Sequence, residues 1–203
     1  MVVGIVNYGL GNIKSLENII KNLDYDVKII SSPKNLTGID KLILPGVGTY
    51  SKAMQLIRNN NWEESINDFV SKKKFLLGIC LGMQILSSSS EEVEFTRGLD
   101  LIKGKVISLK QLKCNEKIPH VGWNGIKKSK DNLLLKEISE NTDFYFVHSY
   151  VFKPDSTVNV VAETKYGVNF CSIVNYQNIF GTQFHPEKSS ASGRKLLKNF
   201  LDA

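Results

Sequence analysis

The sequence predicts an α/β fold: a mostly parallel central sheet with helices on both faces and an antiparallel β extension in the C-terminal half. Three observations carry this. Apolar runs alternate with helical periodicity over residues 1–90, the pattern of strand and helix units in a covered parallel sheet. The second half changes to short β-branched and aromatic runs separated by turn residues, the pattern of hairpins. The 203 residues are 42% hydrophobic and 23% charged. No repeat or linker divides them, so one domain over 1–203 with a single sizeable core is expected.

The elements follow in order. VVGIVN (2–7) reads as a buried strand, turned by Gly9 and Gly11. Residues 12–23 carry Ile13, Leu16, Ile19, Ile20 and Leu23 at helical spacing. DVKII (26–30) and KLILPG (41–46) are strands flanking a loop at 31–38. Residues 50–72 read as two helices broken near the asparagines at 59–61. FLLGI (75–79) is a central buried strand, and LGMQILSS after Cys80 a helix. Strands then follow at GKVISLK (104–110), FYFVHSYVF (144–152), VNVVAET (158–164), NFCSIVNY (169–176) and NIFGTQF (178–184). Leu196, Leu197, Phe200 and Leu201 stripe a closing helix over 190–201.

Composition excludes several classes. No run approaches the roughly 18–20 apolar residues of a membrane span. MVVGIVNYGLGN has neither a basic n-region nor a cleavage site, so a secretory signal is not expected. Three cysteines, Cys80, Cys114 and Cys171, form no CxxC pair, so a disulfide framework or zinc site is not expected and a reducing cytoplasm is the natural setting. The net charge is +6, but the basic residues are scattered, with Arg only at 58, 97 and 194. This reads as lysine-rich composition rather than a nucleic-acid face. Gly9-Leu10-Gly11 could open a dinucleotide site, but Lys14 replaces the third glycine and no acidic residue ends the next strand, so no such cofactor is expected.

The sharpest chemical signal is Gly78-Ile79-Cys80-Leu81-Gly82, a strand running straight into a helix with a nucleophile at the turn. The glycines let the backbone turn sharply, and a helix N-terminus beneath the sulfur favours the thiolate. The Leu81 N–H points into the same space as an oxyanion donor. A buried structural cysteine is the bland alternative. Phe184-His185-Pro186-Glu187 weighs against it: His185, extended before proline, supplies a base at a strand end, and Glu187 reaches its far nitrogen. Leu44-Pro45-Gly46-Val47-Gly48 offers further backbone N–H groups at the same sheet edge, and its glycines let a peptide group rotate at low cost.

Together these motifs resemble the class I, triad-type glutamine amidotransferases and, more narrowly, the glutaminase subunits of imidazole glycerol phosphate synthases. The match runs through NYGLGN (7–12), PGVG (45–48), GICLGMQ (78–84), SSEE (89–92), PHVGWN (119–124), YFVHSY (145–150) and QFHPEKS (183–189), nearly the whole chain. KQLKCNEKI (110–118) matches nothing diagnostic. The resemblance implies the flavodoxin-like fold of the class and hydrolysis of L-glutamine by Cys80, His185 and Glu187. It implies an oxyanion hole at Val47 and Leu81, and substrate contacts at Gly46, Gly48, Gln84, Ser149 and Tyr150. No metal or organic cofactor is implied. The implied partner is a (β/α)8-barrel cyclase subunit in a heterodimer, met by Asn12, His120, Trp123, Tyr145 and Lys188, with ammonia passing between the subunits.

Two other function classes stay open on the sequence: an inactive scaffold for the synthase, and a free-standing thiol hydrolase. The intact Cys80–His185–Glu187 set weighs against the first, PHVGWN against the second. Histidine biosynthesis is the favoured pathway, with amidination of a bacterial surface sugar by a paralogous subunit as the alternative. Trp62 reads as a core residue, and Cys114 and Cys171 as incidental.

Overall fold

The computed structural model describes residues 1–203. The chain runs β1 (Val2–Val6), α1 (Ile13–Lys21), β2 (Asp26–Ile30), β3 (Lys41–Gly46), α2 (Tyr50–Asn59), α3 (Trp62–Ser71), β4 (Phe75–Cys80) and α4 (Leu81–Gln84). It continues through β5 (Ser89–Ser90), β6 (Thr96–Arg97), β7 (Gly104–Ser108), β8 (His120–Gly125), β9 (Lys127–Lys128), β10 (Asp143–His148) and β11 (Tyr150–Pro154). The last elements are β12 (Val160–Tyr166), β13 (Val168–Tyr176), β14 (Ile179–Thr182) and α5 (Ser190–Asp202).

An eight-stranded sheet in the order β2-β1-β3-β4-β14-β13-β12-β9 forms the centre. Its first five strands are parallel and the last three antiparallel, so the parallel half and the antiparallel extension form one surface. Alternation along the strands feeds both faces. Val3, Ile5, Ile43, Leu77 and Ile79 pack with α1 and α5 through Leu16, Ile20, Leu196 and Phe200. Leu42, Leu44 and Leu76 pack with α2 and α3 through Tyr50, Met54, Trp62 and Ile66. The helices break where expected, at Asn61, whose φ of 58° suits an asparagine. No helix is long and apolar enough to cross a membrane.

Three elements differ from expectation. The helix after Cys80 is one turn of four residues, not a helix through residue 88. The carbonyls that would continue it are taken by another segment: Ile85 accepts from Leu99, and Leu86 from Leu101 and Ile102. The run 144–152 is two strands broken at Ser149, because β10 pairs β8 while β11 pairs β7 in a separate four-stranded sheet. Residues 120–125 are themselves a strand.

β8 and β10 make an antiparallel ribbon with Val121 opposite Val147 and Trp123 opposite Tyr145. Those four side chains share its outer face, where Val121, Trp123 and Val147 are exposed. His120, Phe144, Phe146 and His148 turn inward and are buried.

Candidate active site

The site forms where β3, β4 and β14 end together. Gly46 stands beside Cys80 across β3 and β4, and Thr182 beside Ile79 across β14 and β4. Parallel pairing therefore delivers residues 46–48, Cys80 and 183–187 to one edge. Cys80 holds φ 55° and ψ −111°, a strained conformation for a side-chain-bearing residue and the signature of a sharp elbow. The flanking glycines are required by space. A Cβ on Gly82 would lie 1.8 Å from the Leu44 carbonyl oxygen, and one on Gly78 would lie 2.6 Å from that of Gly82. With only one helical turn beneath the sulfur, the helix dipole contributes less than the sequence reading expects.

His185 is extended at the exit from β14 and buried. Its Nδ1 lies 2.9 Å from Glu187 Oε1, also buried, while Nε2 has no hydrogen-bond partner. Burial opposes a charge on this ring, but Cys80 and Glu187 outweigh it and raise the His185 pKa. The backbone is clamped by β10: the His185 N–H donates to the Tyr145 carbonyl (2.9 Å), and Ser189 Oγ donates to the His185 carbonyl (2.6 Å) while accepting from the Tyr145 N–H (3.0 Å). Asn12 precedes α1 without capping it; its Nδ2 donates to Glu187 Oε1 at 3.4 Å.

A cavity of about 340 Å³ opens over the elbow, within the range of small-molecule sites. Cys80 and His185 line it together with Val47, Gly48, Leu81, Gln84, Ser149 and Tyr150, so eight expected site residues meet in one place. Gly46 does not line it. A Cβ there would meet the Tyr8 hydroxyl at 2.7 Å and the Gly82 nitrogen at 2.8 Å, so Gly46 faces inward and shapes the turn. That Tyr8 hydroxyl is buried without a partner, and burial, then Cys80, raises its pKa.

The expected partner face is also partly assembled. Trp123 meets Tyr145 edge-on at 6.1 Å, and the exposed Lys188 places its Nζ over the Tyr145 ring. His120 is a correction. Its side chain is buried, stacked on Tyr166 at 3.9 Å, with Nδ1 3.0 Å from His148 Nε2, so it does not belong to the outer face. Burial holds both imidazoles low, His120 at about 4 and His148 at about 3.

Sequence reasoning missed three features. Glu92 lines the cavity and accepts the Tyr50 N–H at 2.6 Å; burial raises its pKa against that bond. The second acid of SSEE was the available signal. Gln183, within QFHPEKS, is fully buried beside Cys80. Val121 and Val147 widen the exposed face, and the alternation in HVGWNG and DFYFVH carries both.

Comparison with known proteins agrees with this architecture. The family model described as glutamine amidotransferase class-I matches residues 4–203. The chain is similar to proteins named imidazole glycerol phosphate synthase subunit HisH. That from Methanosarcina barkeri is 44% identical, covering 98% of this chain and 96% of the relative. Those from Methanocaldococcus jannaschii (43%, 99% of each) and Leptospira borgpetersenii (40%, 98% of each) are alike. Among solved structures, one described as PurLQS from Thermotoga maritima superposes with a TM-score of 0.79 at 18% identity, covering 99% of this chain and 97% of that one. Another, described as a glutamine amidotransferase, gives 0.77 at 20%, covering 100% and 98%.

Proposed function

The chain belongs to the class I glutamine amidotransferases, and from that membership we propose that it is the glutaminase subunit of an imidazole glycerol phosphate synthase. The observation that carries the reading is the hydrogen-bonded His185–Glu187 pair set beside Cys80 in one cavity. A thiol, an oriented base and nearby backbone donors are what acyl transfer from a carboxamide needs.

In this mechanism the Cys80 sulfur attacks the side-chain carboxamide carbon of L-glutamine. The new C–S bond gives a tetrahedral oxyanion, held by the N–H groups of Val47 and Leu81. His185 delivers the thiol proton to the leaving nitrogen, the C–N bond breaks and ammonia departs. Water then attacks the thioester, His185 takes its proton, and C–S cleavage returns the thiol and releases glutamate. Glu187 orients the imidazole and stabilises its cation throughout, with Asn12 steadying the carboxylate. Gly48, Gln84, Ser149 and Tyr150 hold the amino-acid end. Glu92, the one carboxylate lining the cavity, suits the α-ammonium.

The ammonia serves a second subunit, a (β/α)8-barrel cyclase, which takes it into the imidazole ring. Trp123, Tyr145 and Lys188, joined by Val121 and Val147, form the docking face; Val147 also lines the cavity, so a partner seated there stands at its mouth. The exposed segment around Val47 is free to rotate a peptide: Gly48 has φ 100° and nothing within 4 Å of its Cβ position. Partner binding then favours the conformation with an N–H aimed at the oxyanion.

The test measures glutamate release by the chain together with its cyclase. Cys80→Ala is expected to lose glutamine hydrolysis by at least about 10³-fold while synthesis from added ammonia continues. Equal glutamate release by wild type and variant would refute the assignment.

A further inference from the structure

Gln183 follows β14 and is fully buried. Its backbone is pinned: its N–H donates to the Ser172 carbonyl at 2.9 Å, and Thr182 Oγ1 donates to the Phe184 carbonyl at 3.1 Å. The side chain lies between Gln84 and Cys80. Gln84 Nε2 is 2.9 Å from the Tyr150 carbonyl and 3.1 Å from Gln183 Oε1; Gln183 Nε2 is 3.7 Å from the Cys80 sulfur.

The orientation of both amides follows from one end of this chain. A backbone carbonyl only accepts, so the end of Gln84 facing Tyr150 must be its NH2 group. The same NH2 group faces Gln183, which must answer with its oxygen. That leaves the Gln183 NH2 group turned to the sulfur. A carboxamide of the opposite orientation would place two donors against each other at Gln84.

We propose that Gln183 is a thiolate-stabilising residue of the reaction, its N–H aimed by Gln84 at the Cys80 sulfur. The proposal rests on the reading of Cys80 as nucleophile. The thiol can instead donate to the Val147 carbonyl, 3.9 Å away. Gln183 can only give a proton to the sulfur at that end, so it favours the anion over the thiol. The same bond aids thioester breakdown, in which the sulfur leaves as an anion. The other titratable groups around the sulfur have different roles. His185, backed by Glu187, exchanges the proton; Tyr8 from the segment after β1, His148 of β10 and the cavity carboxylate Glu92 offer no cation beside it.

The experiment follows alkylation of Cys80 by iodoacetamide against pH in the full chain, with the modified residue located by peptide mass analysis. Gln183→Glu still accepts from Gln84 but turns an acceptor to the sulfur. Gln183→Met matches the size and removes the donor, and it carries the test if the first variant fails to fold. The midpoint of alkylation is expected to rise by about one pH unit or more in Gln183→Glu and by less in Gln183→Met. In complex with the cyclase, kcat for glutamine should fall about tenfold or more with KM little changed. An unchanged midpoint in either folded variant, with Cys80 labelled as in wild type, overturns the role of Gln183 alone. A wild-type chain whose Cys80 resists alkylation at every pH overturns the nucleophile reading, and this proposal with it.

Discussion

Gly82 sets how closely the turn that carries Cys80 can lie against β3. The 1.8 Å approach of its Cβ position to the Leu44 carbonyl oxygen involves backbone, which no rotamer change can relieve. Gly82→Ala is expected to destabilise the chain by about 1–3 kcal/mol or more and to displace Cys80. Thermal unfolding and glutamate release measure the two effects; a variant with unchanged Tm and turnover would show the turn to be looser than described. The three thiols are similarly unequal. Cys171 is buried and burial raises its pKa, Cys114 Sγ is occupied with the Tyr166 carbonyl at 3.0 Å, and Cys80 lines the cavity. A glutamine analogue carrying an electrophile should therefore label Cys80 alone, as peptide mass analysis would report. At this scale the elbow and H-P-E were legible because each is a local constraint: glycines around a strained turn, a base and its carboxylate two residues apart. Gln183 and Glu92 were not, because a buried glutamine or glutamate is assigned by what lies opposite it, and those partners come from other elements.

At the scale of elements, the β8–β10 ribbon decides most of what the sequence left open. The first half was legible, since each apolar run there is one strand of one sheet. The ribbon was not: HVGWNG is interrupted by Gly122 and closes on Gly125, and 144–152 reads as one strand until two different sheets divide it at Ser149. The ribbon carries Trp123 outside, packed on Tyr145, whose backbone clamps His185. Trp123→Ala is therefore expected to weaken association with the proposed cyclase partner by about tenfold or more while shifting the Tm of the free chain little, since the exposed indole buries little surface there. Unchanged association in a titration would make the tryptophan a surface residue only. The inner face gives a pH dependence. His120 and His148 are depressed in the fold to about 4 and about 3, from 6.5 in model imidazoles. The unfolded chain then takes up protons below 6.5 that the folded chain refuses, so stability falls as pH drops from 6.5 towards 4. His185, the third histidine, is raised, so its contribution is nearly constant below 6.5 and falls away only as pH rises through its folded value. The Tm should drop between pH 6.5 and 5, and His148→Asn, which keeps a donor for the Tyr150 carbonyl, should reduce that drop. An equal drop in both proteins would assign the acid lability to other groups.

At the scale of the whole molecule, the strand order explains why residues as distant in sequence as Asn12, Cys80 and His185 can act together. β14 returns from the antiparallel half to lie beside β4, so the last third of the chain delivers His185 to the strand ends where the first half placed the Cys80 turn. The mixed character of the sheet was legible, but the return of β14 to its centre was not, because a short run flanked by turns reads equally well as the end of a hairpin. The cavity then lies between this sheet edge and the ribbon, and the exposed outer face of the ribbon borders it through Val147. Ammonia released to bulk water is protonated and loses its nucleophilicity, so a partner seated on that face gains from receiving it directly. In the assembled synthase, an enzyme that consumes free ammonia should scarcely reduce glutamine-driven product formation, yet should abolish synthesis from limiting added ammonia. The same logic extends to the cell. The wild-type gene should restore growth without histidine to a strain lacking this subunit, and Cys80→Ala should do so only with abundant ammonium. Failure of soluble, glutamine-hydrolysing protein to rescue, even when supplied with its own cyclase, would mean that the ammonia is destined for a different acceptor.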